Sequence, residues 1–137
     1  MDETIRAIGH ENVSATHAST FELTSDDYLT PAGDCILGIE ADRVPADFDD
    51  AFVAACQDAD ATITATLEAG EHEATVVGRG DPEMTFENER SLVGRTSEYV
   101  DDRTVMVDAE AAAGDLARDI VGTLADGAEL TMTLSVE

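Results

Sequence analysis

The chain has no lysine and no tryptophan among its 137 residues. Its seven basic residues are all arginine and face 31 acids, for a formal charge of −24. This acidity lowers, without removing, the scope for phosphate binding, since the arginines could still cluster. No basic patch alternates with aromatics, so a platform for stacking single-stranded bases lacks support. No apolar run approaches 18 residues, which excludes a transmembrane helix. A basic stretch followed by an apolar core is missing at the N-terminus, so no signal peptide is expected. Cysteine is limited to Cys35 and Cys56. Two thiols without export signals read as reduced thiols in a cytosol, and the Asn12-Val13-Ser14 sequon then has no meaning.

What is present suits a globular chain. Apolar residues make up 43%, enough to exclude compositional disorder, although 21 of them are alanine. The length fits one domain, residues 1–137, able to bury a core without disulfides. The acids are spread along the chain rather than gathered in a tail. Uniform acidity without lysine fits a protein working in molar salt, where the screening length is only ~3 Å. At low salt the same self-repulsion is expected to loosen the fold.

The sequence also reads as two copies of one pattern, about 4–68 and 72–136. Residues 4–29 lie over 75–100 at an offset of 71, so that Thr4, Gly9 and Tyr28 meet Thr75, Gly80 and Tyr99. Val13, Phe21 and Leu29 meet Met84, Leu92 and Val100. Residues 34–60 lie over 102–128 at an offset of 68, and Ile63–Leu67 over Leu130–Leu134. Only 11 of these 58 pairs are identical. The order of elements and the shared apolar positions carry the correspondence.

Each copy reads β-β-β-α-β. Strands are expected at Ile5–Gly9, His17–Thr24 and Cys35–Ala41, and again at Thr75–Gly80, Phe86–Arg95 and Arg103–Val107. Alternation places His17, Ser19, Phe21 and Leu23 on one strand face. Phe48, Phe52 and Cys56 mark one helix, and Leu116, Ile120 and Leu124 the other. Pro45 and Asp47 suit the first helix start, Asp108 or Asp115 the second, and Gly127 the second stop. Thr62–Leu67 and Leu130–Val136 close the copies. Glu68–Glu71 is the hairpin turn that fuses them. The expected fold class is therefore α+β: an internally duplicated repeat with pseudo-twofold symmetry, forming a mixed, barrel-like sheet with two helices.

Several stretches together resemble the archaeal domain-of-unknown-function family 371. They are Gly9–Val13 with His17 and Thr20, then Leu29–Ile39, Arg95-Thr96-Ser97, Asp102-Arg103-Thr104 and Asp115–Arg118. The resemblance spans essentially the whole chain. It implies an archaeal, cytoplasmic protein and carries no activity with it. Arginine, acids or small residues stand where relatives often have lysine, which fits a haloarchaeal member.

The candidate chemistry lies where the two copies differ. His10 meets Asp81, His17 meets Asn88, and Cys35 meets Arg103, while Asp34 and Asp102 are equal. A pocket near the pseudo-twofold could gather His10, His17, Asp34, Cys35, Asp102 and Arg103, with Arg95 beside them and Arg90 and Arg6 as further cations. Arginine forks there suit phosphate or carboxylate. The competing reading of Arg103 is a local ion pair with Asp101-Asp102.

His10, His17 and Cys35 have the ligand chemistry of zinc, but their spacing matches no metal motif. A Cys35 nucleophile with a histidine base is opposed by Asp34, whose charge would raise the thiol pKa. Cys56 lies on the helix stripe and reads as packing. Ser19 near His17 is too common a spacing to mark a dyad, and His72 reads as solvated. Gly78-Arg79-Gly80 lacks the third glycine of a dinucleotide fingerprint, and no phosphate loop or nucleophile elbow is present.

The leading expectation is a binding module for a small anionic ligand, a nucleotide or an RNA segment. A small enzyme using His10, His17, Asp34 and Cys35, with or without a metal, is the first alternative. A protein-interaction or oligomerisation module is the second.

Overall fold

The structure, a computed structural model, describes all residues 1–137. The elements run β1 (Asp2–Ile8), β2 (Thr20–Thr24), β3 (Ile36–Gly38), α1 (Asp50–Cys56), β4 (Thr62–Ala69), β5 (His72–Arg79), β6 (Ser91–Arg95), β7 (Thr104–Met106), α2 (Arg118–Ala125) and β8 (Glu129–Val136). One turn of 3-10 helix precedes each α-helix, at Pro45–Asp47 and Ala113–Asp115. The fold is α+β with two helices. The two halves of the chain pass through the same series of elements.

The strands form two four-stranded sheets, ordered β1-β8-β4-β5 and β3-β2-β6-β7. The first is wholly antiparallel. In the second, β2 and β6 are antiparallel at the centre, and β3 and β7 lie parallel to them on the flanks. This corrects the expectation of one barrel-like sheet. At their corners the sheets are joined by the isolated bridges Ile8–Ile39 and Arg79–Val107, each followed by one more backbone bond, Asp42 N–H to the Arg6 carbonyl and Glu110 N–H to the Val77 carbonyl, both at 2.9 Å. Strands of three to five residues in the second sheet are too short to continue those bridges into ladders that would close a barrel.

Period-two alternation explains the first sheet. Ile63, Ala65, Leu67 and Ala69 on β4 point inward, as do Leu130, Met132, Leu134 and Val136 on β8. Threonines, Glu68 and Ser135 take the outward positions between them. Phe52 and Cys56 of α1, and Ile120, Val121 and Leu124 of α2, insert into the same core. One cluster of 34 buried side chains draws on both halves of the chain. Neither half has a core separate from the other's.

Close packing of loop against helix needs glycine at two matched places. A Cβ on Gly9 would lie 1.9 Å from the Leu124 carbonyl oxygen, and one on Gly80 2.0 Å from that of Cys56. Each glycine therefore lets the segment after β1 or β5 lie directly on a helix C-terminus. No helix is long and apolar enough to cross a membrane.

Element boundaries differ from the sequence reading mainly in the second sheet. His17 and Ser19 lie before β2 rather than on its face, and residues 86–90 precede β6. Phe48 is buried, but in the link between the 3-10 turn and α1. Its ring meets those of Phe52 and Phe86 at 5.7 and 5.9 Å between centroids. Gly127 ends α2 with a φ of 87°, as expected of a helix stop.

Candidate functional site

The two histidines hold loops in place. Nδ1 of His17 accepts the backbone N–H groups of Ser19 and Thr20, both at 3.2 Å. In the second half Asn88 Oδ1 accepts those of Arg90 and Ser91, both at 2.8 Å. His10 Nδ1 accepts the Asn12 N–H at 3.0 Å, where Asp81 Oδ1 accepts that of Glu83 at 2.8 Å. Side-chain capping of this kind competes with strand pairing, which is why β2 starts at Thr20 and not at His17.

The caps also fix the imidazole chemistry. A neutral ring carries one N–H, so an Nδ1 that accepts backbone bonds leaves the proton on Nε2. Nε2 is then a donor. To coordinate zinc through it, either histidine would have to give up its cap. The backbones of the two histidines are also held at opposite ends of the segment from Gly114 to Ala128. The segment from Gly9 to His17 runs along α2: Gly9 donates to the Ala128 carbonyl at 2.7 Å, and the His17 carbonyl accepts from Gly114 at 2.9 Å. His10 thus follows a residue held just beyond the end of α2, and His17 is held at the 3-10 turn that precedes its start. His10, His17 and Cys35 do not converge. No group of three or more His, Cys, Asp or Glu is placed to hold a metal ion.

Cys35, just before β3, donates its thiol to Glu22 Oε1 at 3.4 Å. Burial pushes this thiol up to about 11, and the Glu22 and Asp34 charges add to the shift. Cys56, buried on α1, is pushed up to about 12 by burial. Neither is a ready thiolate near neutrality. The Asp34 carbonyl accepts the N–H groups of Thr16 and His17 at 3.0 and 3.2 Å. The Asp102 carbonyl accepts that of Asn88 at 3.1 Å, and its carboxylate accepts Asn88 Nδ2 at 3.3 Å.

Arg95 and Arg103 do come together. Arg95 lies on β6 opposite Thr20 and is only 8% exposed. Its Nε donates to Thr104 Oγ1 and its Nη2 to Asp101 Oδ2, both at 2.9 Å. Arg103 gives Nη2 and Nε to the same Asp101 oxygen at 3.0 and 3.2 Å. Burial alone would raise the Asp101 carboxyl. The Arg103 backbone N–H and guanidinium, with the Arg95 charge, outweigh that and hold it below the usual carboxylate range. The Arg95 guanidinium also lies 4.8 Å from the centroid of the exposed Tyr99 ring. Arg90 is outside this group and pairs with Asp26 at 2.6 Å.

The sequence reading missed three roles. Glu3 is buried, where it pairs with Arg43 and accepts the Asp49 N–H at 2.8 Å. The signal was there: Glu3, Ile5 and Ala7 share the inward face of β1. Arg118 makes no ion pair; it donates to the backbone carbonyls of Ser14, Ala15, Ala113, Gly114 and Leu116. Ala113, Gly114 and Leu116 are near Arg118 in sequence, but only long-range folding brings Ser14 and Ala15 to the same guanidinium. Finally, a cavity of about 300 Å³ opens beside β1 and β8, lined in part by Arg6, Glu40, Asp42 and Glu129. Of the candidate cations Arg6 alone borders it, and none of the six leading site residues does.

Fold and site define an α+β protein whose polar side chains mostly cap loops or pair with one another, with one arginine pair gathered on a shared aspartate. The chain belongs to the family described as domain of unknown function (DUF371), whose model matches residues 5–137. It is similar to an uncharacterized protein of Methanocaldococcus jannaschii, at 39% identity over 136 residues, covering 99% of this chain and 100% of that one.

Proposed function

We propose that the chain is a binding module for an anionic ligand, a nucleotide or an RNA segment, held at the arginine end of the β2–β6 sheet. Arg95 and Arg103 would supply the forks, His17 an Nε2–H donor, and Tyr99 an aromatic face. The observation that carries this reading is the convergence of two guanidiniums on one carboxylate in a chain of charge −24. The Nη1 groups of both arginines are left without a partner in the chain, free to meet phosphate or carboxylate oxygens. The nucleophilic-enzyme reading is weaker, because Cys35 faces Glu22 and both histidines spend Nδ1 on the backbone.

The frame of this module is one domain built by internal duplication, with a pseudo-twofold axis between β2 and β6. Supporting this are the palindromic strand orders and the matched corner bridges. Left-handed residues also recur at matched places: Ala15 with Phe86, and Glu40 with Asp108. The setting we infer is a salt-rich archaeal cytoplasm, from the charge and the lack of lysine.

The test is to purify the protein from a high-salt host, record absorbance at 260 nm and identify what copurifies by mass spectrometry. Without tryptophan and with two tyrosines, the protein contributes little itself. A stoichiometric nucleotide or RNA that Arg103→Ala loses supports the reading. Equal ligand on Arg103→Ala removes Arg103 from the site, and ligand-free protein at every salt where it stays folded overturns the nucleotide form. Salt must be varied because phosphate contacts weaken as it rises.

A further inference from the structure

We propose a second site, independent of the one above: the cavity beside β1 binds a small basic zwitterion, of the class of α-amino acids with a cationic side chain. Three observations carry it.

First, Arg6 is the one arginine whose guanidinium makes no hydrogen bond or ion pair. Arg43, Arg79, Arg90, Arg95 and Arg103 pair with acids, and Arg118 with carbonyls. Arg6 and the acids Glu40, Asp42 and Glu129 are all exposed at the mouth of the cavity, yet none of these acids pairs with its guanidinium.

Second, the cavity brings three acids to that cation. Glu40 and Glu129 have no side-chain partner, and Asp42 accepts only the Arg6 backbone N–H, at 2.8 Å. One cation and three anions leave the lining at about −2. The complement is a molecule with two cationic groups and one carboxylate. The volume, about 300 Å³, is at the small end for ligand sites.

Third, the other half of the chain shows what occupies the matched place. Ile8 corresponds to Arg79, since each makes the corner bridge of its half, with Ile39 and Val107. Glu40 corresponds to Asp108, and both have left-handed backbones, with φ of 54° and 49°. In the second half, Arg79 Nε donates to Asp108 Oδ2 at 2.6 Å, so the chain supplies its own guanidinium. In the first half, isoleucine replaces that arginine, and Glu40 faces open space. A ligand guanidinium or ammonium on Glu40 would do from outside what Arg79 does from within. Its carboxylate would then fall to Arg6.

The test is calorimetric titration in molar KCl with L-arginine, L-lysine, agmatine (the same cation without the carboxylate) and L-leucine. L-Arginine or L-lysine is expected to bind at one site and L-leucine not to bind. Arg6→Ala should weaken L-arginine at least tenfold while leaving agmatine unchanged. Glu40→Gln should weaken both. Ile8→Arg, which copies the second half, should fill the cavity and abolish binding while circular dichroism shows the fold intact. Arg103→Ala should leave amino-acid binding unchanged, so failure at one site is distinguishable from failure at the other. No binding of either basic amino acid, or unchanged binding in Ile8→Arg, overturns the proposal.

Discussion

The first and second halves of the chain share a backbone plan and differ in how they settle their polar groups. The first uses His10 and His17 to cap its loops, where the second uses Asp81 and Asn88. The first holds two of the seven arginines, Arg6 and Arg43, and the second holds five. Arg79 closes on Asp108 in one half, and Ile8 leaves Glu40 open in the other. A shared frame needs capped loops and filled interiors, which several residue types can supply. Differences between matched positions therefore point to function only where the frame does not need them. The Nδ1 caps of His10 and His17 fail that test, because Asp81 and Asn88 cap the same loops; under the proposed reading His17 acts through its Nε2–H instead. Under the two proposals, Arg103 against Cys35 and Ile8 against Arg79 are the differences that carry function.

The comparison breaks most severely at the matched glycines. Gly9→Ala and Gly80→Ala each place a Cβ within about 2 Å of a helix carbonyl, so both should lose more than ~4 kcal/mol in denaturant titrations in molar KCl. If one is tolerated and the other is not, the two loop–helix junctions are not equivalent. Next come the matched helix positions. Leu124→Ala should cost about 2–5 kcal/mol. Cys56→Ala should cost clearly less, since it removes one sulfur rather than three carbons from a matched buried site.

The caps should give a smaller, sharper answer. His17→Ala is expected to cost about 1 kcal/mol through loss of two accepted backbone bonds. His17→Asn, which imports the second half's cap, should recover most of it. A loss as large in His17→Asn as in His17→Ala would mean the imidazole does more than cap.

Titration behaviour separates the halves as well. With Cys35 pushed up to about 11, its alkylation by iodoacetamide should be slow at pH 8 and climb until pH 11. Glu22→Gln should move that rise to lower pH. In the second half, Asp101 is depressed. Its contribution to stability is present above the ordinary carboxylate range and is lost as pH falls through its lowered value. Arg103→Ala should therefore flatten part of the acid limb of the stability curve.

Much of the frame could be read from the chain alone, because periodicity reports burial. The alternation in Thr62–Leu67 and Leu130–Val136 gave the two central strands of the first sheet, and Gly127 gave the end of α2. The second sheet was harder to read. Its strands are three to five residues long, too short for a pattern to separate strand from capped turn, so alternation extends the β2 face back to His17 and Ser19, which lie before the strand. The site was legible only in part. The Arg103 ion pair was visible because Asp101 is two residues away. Arg95 joins it from another strand, and the Glu22–Cys35 contact spans 13 residues; no local spacing encodes either. The cavity depends on what Ile8 lacks relative to Arg79, and that emerges only when the corner bridges are seen to match.

The most direct test of the binding account is a ¹⁵N–¹H spectrum recorded in molar KCl during titration with a mononucleotide. The account predicts saturable shifts confined to the backbone of Arg95 and Asp101–Thr104, the Arg95 and Arg103 Nε–H groups and the His17 Nε2–H, all lost in Arg103→Ala. No saturable shift, or shifts that persist unchanged in that variant, would contradict it.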